Sequence, residues 1–319
     1  MKTCAYGITA LELYRSSGRL LPDLLDSPRT ASLAGCGILP RGMLEDVFSR
    51  AGALTKPYHL LVGDPSRAHR RSDIACHVRT SPLPPRSLIC AGKDLLLSGP
   101  ELLFAQLAAA KDCDILDLAQ IGYELCGTYV LDTSWDQLTN TERPMTTVAK
   151  IRRVLDGLGA MRGVARARSA LDLVRDGSNS PRETILSLLT SSPCTEGGLG
   201  IEDIRLNYPV ATPVGPRRVD VAIPRYRCGI EYKGRAYHSI EQSERDDRRQ
   251  NKLVGSGYTI LNVWYEDIVS DHLFQQFVCD LFRAMGVRRR VRVAGFEQKQ
   301  KLLRYKLIPA FQRFEANAF

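Results

Sequence analysis

Apolar and polar positions change period along the chain, and those changes mark out its elements. From Ser180 the pattern is most regular. Ser180-Pro181-Arg182-Glu183 precedes Ile185, Leu186, Leu188 and Leu189, which predicts a helix with serine as N-cap and proline at its first position. Three strands are predicted next, Ile204 to Val210, Arg218 to Ile223 and Tyr226 to Tyr232. In the second, Val219, Val221 and Ile223 take one face while Arg218, Asp220 and Ala222 take the other. A polar helix from about Ile240 to Leu253 ends at Gly255-Ser256-Gly257, where glycine can close it. Tyr258 to Trp264 reads as a further strand. Asp271 to Met285 reads as an amphipathic helix with Leu273, Phe274, Phe277, Val278, Leu281 and Phe282 inward. The predicted order is α-β-β-β-α-β-α.

The earlier part is more broken. Strand-like runs at Tyr58 to Val62, Ile74 to Val78 and Ser87 to Ala91 are set among proline and glycine breakers, and helices are predicted from Pro100 to about Ala110 and from about Asp114 to Cys126. Residues 142–176 are basic and rich in Ala and Gly (Lys150, Arg152, Arg153, Arg162, Arg166, Arg168), with helix-compatible spacing but no strong apolar stripe. They read as a helical connector. The expected fold class is α/β (α+β) in two domains: residues 1–140 a small α+β domain, 141–179 the connector, 180–287 an αβββαβ core with a mixed sheet, and 288–319 a basic tail.

Composition narrows the function classes. At 319 residues and 44% apolar content the chain can bury two modest cores. No apolar run approaches the roughly 18 to 20 residues of a membrane helix, and Glu12, Tyr14 and Arg15 interrupt any signal-peptide reading of the start, so a soluble, cytoplasmic protein is expected. Nine widely spaced cysteines without a CxxC pair predict mostly buried free thiols and no zinc. The net charge of +9 is uneven, with +2 up to Gly163 and +7 after it. Arg288, Arg289, Arg290, Arg292, Lys299, Lys301, Arg304 and Lys306 face one acid, Glu297. Such a field attracts a polyanion, or else it is a solvated tail.

Within the second part, Asp220 lies on one predicted strand and Glu231-Tyr232-Lys233 ends the next. Adjacent hairpin strands can bring the two acids side by side, and alternation gives Glu231 and Lys233 one face. Two carboxylates at one point suit Mg²⁺ or Mn²⁺, a lysine beside them can orient water or offset charge on phosphate, and Glu183 can support the site. The bland readings are a capping-box glutamate for Glu183 and a surface ion pair for Glu231 and Lys233.

The set Glu183, Asp220 and Glu231-Tyr232-Lys233, followed by Gly234 to His238, Arg245 to Leu253 and Gly257 to Val263, resembles the PD-(D/E)XK nucleases, in particular their very-short-patch-repair-like branch. The resemblance spans residues 180–285. It implies a restriction-endonuclease-like core and a metal-dependent endonuclease acting on nucleic acid, DNA first, in phage defence or DNA repair. Metal ligation falls to Asp220 and Glu231, and catalytic roles to Lys233, Glu183 and His238. Arg248, Arg249, Arg288, Arg289, Arg290 and Arg292 become candidate phosphate contacts. Lys233 stands where many relatives place Asp, and the cysteine-rich zinc site of the repair enzymes is missing, so mismatch specificity is not carried over. Residues 58–62, 77–78, 97–103 and 121–129 resemble, more loosely, the AbiEi-like abortive-infection antitoxins. That resemblance implies the competing reading: a non-catalytic DNA-binding antitoxin or regulator, with a partner toxin or a second copy as its partner.

Overall fold

The computed structural model describes residues 1–49, 54–69, 71–132, 137–233 and 251–316, with side chains described through residue 309. It is mixed α/β and divides into two compact units, Met1–Val174 and Arg175–Phe319.

In the first unit the strands are β1 (Thr3–Ala5), β2 (Arg29–Thr30), β3 (Tyr58–Val62), β4 (Ile74–Val78), β5 (Leu88–Cys90) and β6 (Leu95–Ser98). They form one sheet in the order β2-β5-β6-β1-β3-β4, with β1/β6 and β3/β4 parallel and the other neighbours antiparallel. Three of the six strands were not predicted. They are two to four residues long and find their partners far away in sequence, Thr3 opposite Leu95 and Ala5 opposite Leu60. Helices α1 (Gly7–Ser16), α2 (Leu21–Asp26), α3 (Arg41–Phe48), α4 (Pro100–Leu107) and α5 (Ile115–Cys126) follow, with a hairpin of β7 (Tyr129–Leu131) and β8 (Leu138–Asn140) after α5. Every residue of α4 is buried, and Asp114 opens α5 with a reciprocal capping box to Asp117.

The expected connector folds into this unit. α6 (Val148–Gly157) buries Ile151 and Leu155 and packs on α4, while α7 (Val164–Leu171) buries Val164, Ala167, Ala170 and Leu171 and packs on α5. The stripe is made partly of alanine, which a search for large apolar residues passes over. Gly163, at φ +91°, lets the chain approach α4 closely, since a Cβ there would meet the Ala109 nitrogen at 2.7 Å. Arg166 then caps α4, its Nε 2.6 Å from the Ala108 carbonyl oxygen.

The second unit begins with α8 (Pro181–Ser191), whose N-cap Ser180 Oγ accepts from the Glu183 N–H at 3.2 Å. β9 (Arg205–Val210), β10 (Arg217–Ile223), β11 (Cys228–Tyr232) and β12 (Thr259–Val263) form a mixed sheet in the order β12-β11-β10-β9, antiparallel except for the β11/β12 pair. β11 starts at Cys228 because Pro224–Tyr226 turn in a 3₁₀ helix and Arg227 is left-handed, at φ +48°. Residues 251–255, just ahead of β12, are helical, and Leu253 packs with Val210, Val219 and Ala222. Gly229 leaves room for side chains of the neighbouring strands: a Cβ there would sit 2.5 Å from Val219 Cγ1 and 2.9 Å from Ile260 Cδ1. α9 (Tyr265–Val269) and α10 (Asp271–Ala284) follow.

The expected basic tail contains a long helix, α11 (Phe296–Ala316), which packs on α8 and α9. Its inward positions include Gln300 and Arg304 beside Leu303 and Leu307. Arg304 is 2% exposed, donates to the Ile268 carbonyl and to Asp271, and lies 4.7 Å over the Phe274 ring. Lys301 also binds Asp271. The tail reading therefore fails for Arg304, which is structural, while Lys301 stays partly exposed in a surface pair. All nine cysteines are free; four are buried and Cys279 is exposed. Among the described residues no helix is long and apolar enough to cross a membrane.

Candidate active site

Four of the five expected catalytic residues lie on α8, β10 and β11 or just beyond them. The paired register of β10 and β11 runs from Ile223 opposite Cys228 to Val221 opposite Ile230. One step beyond it, the Tyr232 N–H is taken by a side chain: it donates to Asp220 Oδ2 at 3.0 Å. The carboxylate thus occupies the place of a ladder acceptor at the end of the pairing.

Glu231 is the last buried residue of its strand, 3% exposed, opposite Asn262 of β12. Its Oε2 lies 3.2 Å from Lys233 Nζ, and the lysine is itself 21% exposed. This is no surface pair. Burying both charges costs desolvation that mutual attraction only partly offsets, so the pair contributes little to stability and suggests another use.

Glu183, in the first turn of α8, is 8% exposed. Its carboxylate does not bond the N-cap N–H, as a simple capping box would. Oε2 accepts from the Asn179 N–H at 2.8 Å and from Asn207 Nδ2 at 2.5 Å, and Oε1 accepts from the Ser180 hydroxyl at 3.3 Å. Burial foremost, and then the charge of Asp220, push its carboxyl up to about 7; the three hydrogen bonds pull the other way without prevailing. Next to it, Arg182 lies 5.4 Å over the Tyr232 ring, so the first turn of α8 meets the end of β11.

Asn207 was not singled out in the sequence. It sits inside β9 at φ +48°, 9% exposed, and also donates to the Gly177 carbonyl at 2.9 Å, while its own carbonyl accepts from Arg218 at 2.9 Å. One signal was available: asparagine is disfavoured within strands and enriched in left-handed backbone, so an Asn inside a strand pattern marks a kink.

His238, Arg248 and Arg249 lie outside the described residues. Arg288, Arg290 and Arg292 are exposed. Arg289 is half-buried, 4.8 Å over the Phe296 ring, and donates to Gln275 at 3.4 Å. Oxygen donors from Asp220 and Glu231 are the hard type that Mg²⁺ or Mn²⁺ takes, completed by water. Among the described residues no group of three or more His, Cys, Asp or Glu converges as a metal cluster. In comparisons with family models, curated proteins and solved structures, nothing matches the chain.

Proposed function

We propose that the second unit is a Mg²⁺- or Mn²⁺-dependent nuclease that hydrolyses phosphodiester bonds in nucleic acid, DNA first, on a restriction-endonuclease-like core. The observation that carries this reading is a linked set of acids beside a mixed sheet, Glu183 and Glu231 buried and Asp220 half-buried. Glu183 is held off ionisation by its burial and then by the charge of Asp220, Asp220 is bound to the backbone beside Glu231, and Glu231 is paired with Lys233. A scaffold gains nothing from crowding like charges in a buried place, and active sites do so routinely.

A divalent ion held by Asp220 and Glu231 would polarise the scissile phosphate and acidify the attacking water. Lys233 supplies a fixed ammonium that offsets charge developing on the phosphate. Glu183, poised near neutral pH, can exchange a proton with water in that step. Asn207 and Asn179 fix the orientation of its carboxyl.

The test is cleavage of single- and double-stranded DNA and RNA with Mg²⁺ or Mn²⁺, run beside Asp220→Ala and Glu231→Ala. Each substitution is expected to lower the rate by about 100-fold or more while the protein stays folded by circular dichroism. Absence of any metal-dependent cutting by the wild type, or a Glu231→Ala protein as active as the wild type, would falsify the proposal. Tight, salt-sensitive binding without cutting would favour the DNA-binding antitoxin or regulator.

A further inference from the structure

We propose that the first unit carries a second, separate site that binds a small molecule bearing a phosphate monoester, through Arg67 and Arg79. The site is a cavity of about 360 Å³ at the carboxyl ends of the parallel strands β3 and β4, walled on one side by residues 31–35. Crevices at the carboxyl ends of parallel strands are a recurrent place for ligands in α/β sheets. Gly63, immediately after β3, makes the wall possible, since a Cβ there would meet Leu33 Cβ at 2.9 Å.

Arg67 and Arg79 line this space, and among the described residues each guanidinium is anchored by a single carbonyl. Arg67 Nη1 donates to the Cys36 carbonyl at 3.2 Å, and Arg79 Nη2 to the Pro82 carbonyl at 3.2 Å. Arg79 Nε is buried and finds no acceptor among the described residues. A guanidinium has five donors, and a buried one left unused carries a desolvation cost that a bound acceptor would relieve. Burial indeed makes the Arg79 cation less favourable than an exposed one. Among the described residues neither arginine forms an ion pair; Asp64, at the rim, is turned onto the Ser66 N–H at 2.9 Å and feels Arg67 only through space.

These features select the ligand. Two planar forks match the oxygens of a phosphate dianion. Ser81 and Thr80 add hydroxyls, while Leu33 and Leu83 offer an apolar wall. The volume lies at the small-molecule end of the roughly 300 to 1,000 Å³ range for ligand pockets, which favours one small phosphorylated compound over a polymer groove.

Phenyl phosphate is the probe, titrated calorimetrically into the full chain, with benzoate and a 5′-phosphorylated single-stranded oligonucleotide as comparisons. Saturable one-to-one binding of phenyl phosphate is expected, weakened at least tenfold in Arg67→Ala and also in Arg79→Lys, which keeps the charge but loses the fork. Arg67 is exposed, so its substitution leaves the fold intact. In the wild type, the Arg79 Nε–H resonance should shift on adding phenyl phosphate. No saturable binding, equal binding by the Arg67→Ala protein, or binding of the oligonucleotide alone would each overturn the proposal.

Discussion

Glu124 in the first unit and Glu183 in the second are both buried acids on helices, yet their surroundings are opposite. Glu124 Oε1 and Oε2 meet Arg15 Nε and Nη2 at 3.0 and 2.6 Å, with both side chains 1% exposed, and Oε1 also accepts from the Leu131 N–H at 3.0 Å. Glu101 is treated similarly, between Arg29 at 3.1 Å and the Thr146 hydroxyl at 2.8 Å. Glu183 is met by amides, a hydroxyl and the negative charge of Asp220. The first arrangement ties α1 to α5 and to the strand after it. The second holds a carboxyl in an unfavourable state, which is how a fold stores reactivity.

The contrast breaks most visibly at Glu124. Glu124→Ala leaves the Arg15 guanidinium buried without its carboxylate and strips the Leu131 N–H of an acceptor, so the first unit should lose roughly 3 to 5 kcal/mol in urea unfolding. A paired replacement, Arg15→Met with Glu124→Leu, should recover the part of the loss that belongs to the ion pair, which is close to neutral against apolar side chains of similar size, but not the part due to the Leu131 N–H, still without this acceptor. If Glu124→Ala costs less than about 1 kcal/mol, the pair is not the clamp described.

At Glu183 the effect is smaller and depends on pH. The carboxyl rises from its ordinary 4.5 to about 7, so between those values the folded chain holds a proton that the unfolded chain has released. Stability from this group is therefore fullest below about pH 4.5 and is lost as pH climbs to about 7, by about 3 kcal/mol. Glu183→Gln, which cannot ionise and still accepts from Asn179 and Asn207, should flatten the decline between pH 5 and 7 and be the more stable protein at pH 8. Parallel stability–pH curves for the two proteins would refute the raised carboxyl.

How legible these regions were follows from the range of the forces that make them. β9 to β12 were readable to within one or two residues because alternation and turn residues are local signals, and the placement of Asp220 within β10 and of Glu231 and Lys233 at the end of β11 came with them. The sheet of the first unit was half hidden, since β1 and β2 are too short to show a period and exist only through distant partners. Asn207 was hidden because its role depends on a left-handed residue inside a strand and on α8 packed beside it. The Glu183 capping reading was half right: the helix start was local, but the company of Asp220 was not.

Charge was the least legible quantity, because a basic residue looks the same in sequence whether it faces solvent or a carbonyl. Arg166 caps α4, Arg152 and Arg168 pair with Asp172 and Asp156, and Arg304 is buried on Asp271, so much of the basic connector and tail is spent inside its own unit. Among the described members of the expected set, Arg288, Arg290 and Arg292 are exposed and able to meet phosphate. Their combined replacement by alanine should leave folding unchanged and weaken DNA binding by the same factor on every sequence. It should also make the slope of log K against log salt shallower by about 2 to 3, near 0.9 per lost contact. An unchanged slope would mean that these arginines are solvated like the rest of the surface, and that the positive charge of the second unit serves its fold.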